Sequence, residues 1–400
     1  MWRSLFLSAA LVGLVVSFAP VVRAADEATH AQSKTVKVQG ENGSSLQTLA
    51  ATPDGKVVVL VSASRYAAPT AIKGAIAEVR VFDKEGNETA KWPLEFKGQS
   101  IGVGPDGVVY VAGDGQVARY SADGKLLAQA EVPHLAEVLK DQEKLRASAE
   151  AQIKAQKESI EQAKKSFAEQ IKQLEEKGDN LTDLEKQQLQ ALQINLKAYG
   201  AIIDRAQPVE TVMASLTSRL RNINSIAATS KNVFIATGET KGYGYAVWRM
   251  DLDFKNPTQV LSQLRGCCGQ MDVQAHGDQL YVSENTRHRV AVYDLAGKPV
   301  SAFGKRDRES AGESFAGCCN PMNCRVTKEG DVYTAESEGI IKKFNSKGEF
   351  VSLIGIANLT GGCKNVAVAA SPDGEMVYFC DLPGSQIIFM KKSTAAVSAQ

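Results

Sequence analysis

The stretch at 280–304, LYVSENTRHRVAVYDLAGKPVSAFG, contains three short apolar runs separated by turn residues. Leu280 to Val282, Val290 to Tyr293 and a last run ending at Phe303 alternate with the period of two that half-buried strands require. With MDVQAHG at 271–277 placed ahead of them, they form one unit of four antiparallel strands. Units of this kind recur at 46–96, 101–132, 223–264, 323–355 and 365–392. A spacing of about 45–50 residues restricts the chain to repeat architectures in which each sheet buries its faces against its neighbours. Asp-Gly pairs at 54–55, 106–107 and 373–374 supply the hairpin turns between first and second strands.

The last unit stops after its third strand at Lys392, while KTVKVQG at 34–40 holds a strand, Thr35 to Val38, with no unit around it. An unpaired last strand would leave an open sheet edge. The N-terminal strand is therefore expected to complete the sixth unit and seal a ring. The expected fold is mostly β, a six-bladed β-propeller of four-stranded antiparallel blades.

At Pro133 the periodicity changes. From His134 to Lys177 there is neither Gly nor Pro, and Leu139, Ile153, Ile160, Phe167 and Leu174 fall on one seven-residue register. Arg146 interrupts that register, and Gln142, Gln156 and Gln170 are polar at the paired positions. Gly178 to Leu181 break the helix, and Thr182 with Glu185 reads as a capping box opening a second one. Its apolar positions are Leu189, Leu192, Leu196, Tyr199, Ile203 and Ala206, and Pro208 should kink it before a last stretch to Leu220. The expectation is an antiparallel, coiled-coil-like helical hairpin inserted between the second and third blades, its first leg about 65 Å long. The division is then 1–24 signal peptide, 25–133 closing strand and two blades, 134–220 helical insert, 221–392 four blades, and 393–400 tail.

The unit at 271–304 resembles an NHL repeat, through Glu284, Arg287, His288, Arg289, Val290 and Tyr293 ahead of the Ala296-Gly297 turn. The resemblance implies a propeller and leaves activity open, because propellers host unrelated functions. Related six-bladed lyases and lactonases carry His or Glu/Asn/Asp metal sites in the central channel. With 4 histidines in the whole chain, His30, His134, His276 and His288, the first kind is excluded. Glu284, Glu336 and Asp381 recur after the second strand of their units and are expected to form a solvated salt-bridge ring or, alternatively, to bind a cation.

Arg3, the apolar run Leu5 to Val16 and the ending Val22-Arg23-Ala24 have the form of a secretory signal peptide cut before Ala25. Its removal takes the formal net charge from +1 to −1, so no basic excess exists for nucleic acid or anionic lipid. The protein is expected to be secreted or periplasmic, with no transmembrane segment in the mature chain.

The 7 cysteines are Cys267, Cys268, Cys318, Cys319, Cys324, Cys363 and Cys380. RGCCGQ, AGCCNPMNC and GGC occupy the same place in three successive repeats, the connection entering blades four, five and six. All seven are expected to gather on the face that bears the helices. Three chemistries fit. In an exported protein the cysteines form disulfides, with at least one thiol left over. Adjacent cysteines close only as a strained eight-membered ring, so bridges between blades are favoured on geometry. Alternatively, Cys267, Cys268, Cys318, Cys319, Cys324 and Cys363 hold a thiolate-bound metal or iron-sulfur cluster, with Met271 and Met322 nearby. A reactive redox thiol is the third possibility.

No Ser-His-Asp order, Gly-rich phosphate loop or haem-binding CxxCH is present. The function these features favour is a non-catalytic binding scaffold that takes a protein or other macromolecule on its helix-bearing face. Self-association through the hairpin is a further expectation. The alternative is a metal- or cluster-bearing redox protein.

Overall fold

The structure is a computed structural model that describes residues 28–64, 74–204, 208–239, 244–267, 270–360 and 366–393. The expected signal peptide, the tail and the candidate ligands Cys268 and Cys363 lie outside these residues.

The described chain opens with strand β1 (His30–Lys37). Sheet 1 follows as β2 (Ser44–Ala51), β3 (Val57–Ala63), β4 (Glu78–Phe82) and β5 (Glu88–Pro93). Sheet 2 is β6 (Ser100–Val103), β7 (Val109–Gly113), β8 (Gln116–Tyr120) and β9 (Leu126–Glu131). Four helices come next, α1 (Pro133–Lys140), α2 (Gln142–Glu175), α3 (Asp183–Asp204) and α4 (Val209–Arg221). Sheet 3 is β10 (Ile223–Ala228), β11 (Asn232–Gly238), β12 (Tyr245–Asp251) and β13 (Thr258–Leu264). Sheet 4 is β14 (Asp272–His276), β15 (Gln279–Glu284), β16 (Arg289–Asp294) and β17 (Pro299–Phe303). A short parallel pair, β18 (Lys305–Arg306) and β19 (Ser314–Phe315), is an element that period-two reading missed. Sheet 5 is β20 (Asn323–Val326), β21 (Val332–Ala335), β22 (Ile340–Phe344) and β23 (Phe350–Ile356). Sheet 6 joins β24 (Val366–Ala370), β25 (Met376–Asp381) and β26 (Gln386–Lys392) to β1, with Thr35 opposite Ile388.

Each four-stranded sheet is antiparallel and runs in sequence order from its first strand outward, β1 alone returning to the outer edge of sheet 6. The first strands touch in succession: β6 packs on β2 and β10, β14 on β10 and β20, and β24 on β20 and β2. Apolar clusters fill the gaps between sheet faces. Leu60, Val79, Trp92 and Val109 join sheets 1 and 2, and Phe234, Val247, Val273 and Leu280 join sheets 3 and 4. Gly102 shows how close the inner strands come. A Cβ there would meet the Ile226 carbonyl oxygen at 2.5 Å, so β6 can lie against β10 only without a side chain.

The helical segment differs from expectation at its start. The first leg is broken at Asp141, whose side chain accepts the Lys144 N–H and caps α2 afresh. That leaves a 34-residue α2, about 51 Å long. The capping box forms: the Thr182 N–H and hydroxyl donate to Glu185 Oε2, and the Glu185 N–H donates back to Thr182 Oγ1. Ile171 and Leu174 of α2 pack on Leu192 of α3, flanked by Phe167, Leu189 and Leu196. By contrast, Leu135 of α1 and Leu220 of α4 are buried in the core between sheets 2 and 3. The short helices therefore contribute to the core between sheets 2 and 3. Among the described residues no helix is long and apolar enough to cross a membrane.

Candidate functional site

Where the six first strands meet there is a cavity of about 30 Å³, lined by Gln47, Gln99, Ser225, Gln270, Asp272, Asn323 and Arg325 among others. That volume admits about one water and is far below the few hundred Å³ of a small-molecule pocket. Most of its polar lining is engaged in structure; Gln270 donates through Nε2 to the Val366 carbonyl, while its buried Oε1 has no partner among the described residues. Gln99 Oε1 accepts the Ile223 N–H, Ser225 Oγ the Val273 N–H, Asp272 Oδ2 the Cys324 N–H, and Asn323 Oδ1 the Val368 N–H. Ser385 Oγ accepts the Leu46 N–H in the same way. Each bond satisfies a donor on the open inner edge of one sheet with a side chain from the sheet before it. Arg325 reaches furthest, pairing with both Asp272 oxygens at 3.1 Å and donating to the Leu49 carbonyl. Sequence reasoning missed this arrangement. Its signal was available as a polar residue at or near the start of four first strands, at Gln99, Ser225, Asp272 and Asn323.

The connections entering the later sheets lean on the turn between that sheet's second and third strands. The Cys267 N–H donates to Asn285 Oδ1, the Ala316 N–H to Glu336 Oε2, and the Thr360 N–H and hydroxyl to Asp381 Oδ2. This corrects the expectation of a solvated salt-bridge ring. Glu284, Glu336 and Asp381 are buried, each inside its own sheet. Glu284 pairs with Arg287 and Arg289, Glu336 with Lys342, and Asp381 is held by Thr360 and Gln386. The loops fold over these acids and replace the water around them.

The structure divides the cysteines. Cys267, half-buried, packs against the cluster that contains Cys319 and Met322. Asn285 bridges the two loops, binding the Cys267 N–H and carbonyl and approaching Met322 Sδ at 3.7 Å. Cys318 is exposed, Cys319 is buried, and their sulfurs are 2.8 Å apart. Cys324 and Cys380 do not join them. Strand alternation sends Cys324 between sheets 4 and 5, against Tyr281 and Phe344. It sends Cys380 between sheets 6 and 1, against Val38 and Ile387. Burial pushes both thiols far above the ordinary range, with Asp272 and Asp381 respectively adding to the effect. Neither shares its cluster with another cysteine. Among the described residues no group of three or more His, Cys, Asp and Glu side chains is placed to hold a metal ion.

None of the histidines clusters either. His134 is fully buried, its Nε2–H donating to the Leu220 carbonyl at 2.7 Å and its ring stacked on Trp248. Burial lowers its pKa to about 4, against the opposing pull of the Leu220 bond. Unfolded, it returns to 6.5. As pH falls below 6.5 the unfolded chain gains a proton that the folded chain refuses, so stability drops, and the loss levels off near pH 4. The full loss is about 3 kcal/mol, and His30, lowered in the same direction by burial, adds to it. Denaturant midpoints measured across this window are expected to fall in the native chain and to fall less steeply in His134→Gln. An identical slope in the variant would remove His134 from the account.

No protein-family model matches the sequence, and no curated protein matches it. Among solved structures, the chain is similar to the β-propeller domain of Cps50 (Swd1) from Myceliophteria thermophila. Identity is 10% over 91% of this chain and 100% of that one, with a TM-score of 0.42. Regucalcin from Agrobacterium tumefaciens, a calcium-binding protein, is 12% identical over 90% of this chain and 97% of its own, TM-score 0.42. A protein assigned provisionally as a gluconolactonase is 10% identical over 94% and 96%, TM-score 0.45. Likeness at this level carries no argument about activity, and the architecture rests on the sheets themselves. The fold is a β-propeller. Its blades are four-stranded antiparallel sheets, and the small polar cavity lies where their first strands meet.

Proposed function

We propose that this propeller is an exported, non-catalytic scaffold: six blades of NHL-like repeats, closed by β1, that present a helical hairpin to a partner macromolecule. The observation that carries the reading is the size of the connection between β9 and β10. Residues 94–99 suffice to join sheets 1 and 2, whereas residues 132–222 join sheets 2 and 3, which are also neighbours. Closing the ring needs none of the extra length.

The hairpin is built to stand away from the blades. Its seam is internal, and α2 packs on α3, α1 and α4. Leu184 and Ile194 of α3 are 75% and 60% exposed, so apolar contact surface remains on it. The axial cavity is too small for a metabolite, which favours binding at a surface over chemistry in a channel. Export is supported by the sequence of residues 1–24.

The test is to replace residues 142–207 by a short Gly/Ser linker, keeping α1 and α4 in the core. Arg146 and Glu210 form an ion pair at 3.0 Å, so the two ends of the excision lie close together. The shortened chain is expected to fold, with a melting temperature lowered by the loss of the packing of α2 on α1 and α4, and to lose the partner that the full chain captures from an extract of its own source. Recovery of the same partner by both chains would overturn the reading. Loss of self-association in the shortened chain, with no other partner found, would replace it by a dimer.

A further inference from the structure

We propose that Cys318 and Cys319 are a dithiol–disulfide pair that closes as a vicinal disulfide, with Cys318 as the attacking thiol and Cys319 as the resolving one. The two sulfurs are 2.8 Å apart in the reduced chain, against about 2.05 Å for a covalent S–S bond. Little movement separates the two states. The general preference for bridges between blades is overridden here by the position of the loop.

That loop is held on both sides of the pair. Before it, the Ala316 N–H donates to Glu336 Oε2, and the Gly317 carbonyl accepts from His288 Nε2. After it, Asn320 donates to the Ala316 carbonyl and to Glu338 Oε2, and its own carbonyl oxygen accepts the Ser337 N–H. Gly317 takes a φ of +73°, and a Cβ there would meet Glu338 Oε1 at 2.7 Å, so the approach of the loop to sheet 5 is fixed as well. The flanks are pinned, and the thiols point their sulfurs at each other.

Their exposures divide the roles. Cys318 is exposed and can meet an external disulfide, whereas Cys319 is 1% exposed and cannot. The oxidant is a small disulfide, RSSR. The Cys318 thiolate attacks one of its sulfurs and releases RS⁻, giving a mixed disulfide. The Cys319 thiolate then attacks Cys318 Sγ and releases the second RS⁻. Two thiol protons leave for the two released thiolates, so two protein thiols and RSSR become one protein disulfide and two RSH.

The experiment equilibrates the folded full chain in glutathione buffers of rising oxidised fraction. The sample is then quenched with an alkylating reagent under denaturing conditions and cut with trypsin without reductant. Cleavage after Arg308 and Arg325 yields 309–325, which carries Cys318, Cys319 and Cys324. This peptide is expected to pass from three alkyl groups to one, on Cys324, with the loss of two hydrogens at 318–319. Cys318→Ser should hold it at two alkyl groups at every poise, Cys319→Ser should instead trap glutathione on Cys318 at oxidising poise, giving one alkyl group and one glutathione, and Cys267→Ser should leave the transition unchanged. If Cys319→Ser does not fold, the exposed Cys318→Ser decides alone. Three alkyl groups at all poises would overturn the proposal, as would a cross-link to the Cys267 peptide or protection that a chelator reverses without loss of hydrogen. None of these outcomes depends on whether the helical hairpin binds a partner.

Discussion

A chain that begins at residue 41 is expected to lose the cooperative unfolding transition of the whole propeller. β1 pairs with β26 from His30 opposite Lys392 to Lys37 opposite Gln386, and it also reaches both neighbouring sheets. The Thr29 N–H donates to the Leu353 carbonyl of sheet 5, and Lys34 and Val36 pack on Gly86 at the turn between β4 and β5 of sheet 1. Val38 is fully buried between sheets 6 and 1, its N–H donating to the Ser385 carbonyl and its own carbonyl accepting from the Ser385 hydroxyl. Each lost hydrogen bond costs about 0.5–1.5 kcal/mol. Together with the lost apolar contact, the deletion removes an amount comparable with a domain's whole stability, about 5–15 kcal/mol. Calorimetry of the truncated chain should show no sharp transition. A peptide of residues 28–40 added in trans should restore it by adding a strand to the exposed edge. An unchanged melting temperature would mean that the ring holds without its N-terminal strand.

Replacing Lys342 by methionine is expected to destabilise the protein by about 3–5 kcal/mol, because it leaves the Glu336 carboxylate buried without its cation. The lysine is 1% exposed and all its donors are used, on Glu336 Oε1 at 3.0 Å, on Ser310 Oγ at 2.8 Å and on the Ser314 carbonyl. Its ammonium also lies over the Phe315 ring. Burial pushes Glu336 up and Lys342 down, so partners rather than solvent sustain the two charges. The same ammonium holds the excursion 305–316 against sheet 5, and amide exchange in that segment should accelerate in Lys342→Met. Exchanging both residues, Glu336→Leu with Lys342→Met, should recover much of the loss, since a well-packed apolar pair carries no desolvation penalty. Equal stability of Lys342→Met and the native chain in urea would show that the pair is not coupled to the fold.

The blades were legible because alternation and Asp-Gly turns act locally. Ile223 to Ala228, Val366 to Ala370 and the other first strands carry their own period, and the orphan strand near Thr35 was identifiable because sheet 6 lacked a partner. Other features depend on what arrives from elsewhere in the chain. IIKKF in β22 shows two adjacent lysines, and nothing local says that Lys342 turns into the 305–316 excursion while Lys343 stays at the surface beside Asp331. Asp141 reads as one more polar residue in a long helix, and only the placement of α1 in the core makes it a cap. Glu336 and Asp381 read as surface acids for the same reason: the loops that cover them are distant in sequence. Cys324 and Cys380 were misplaced by aligning repeats alone, where strand alternation would have sent them into separate interior clusters.

The bonds between first strands bear on how such a chain can change size over evolutionary time. Arrays of this kind grow and shrink by duplication or loss of a repeat, which is harmless only if neighbouring repeats are interchangeable. Here they are not: at five of the six boundaries a side chain accepts one donor of the next sheet, and the acceptor varies, glutamine, serine, aspartate, asparagine and serine again. Excising one repeat would bring together strands whose donor and acceptor were never matched. It would also take Asp272 or Leu49 from Arg325 where the excised repeat carries them. Neighbouring sheets are thus matched residue by residue along their first strands, whereas the connections between sheets carry no such constraint on their length.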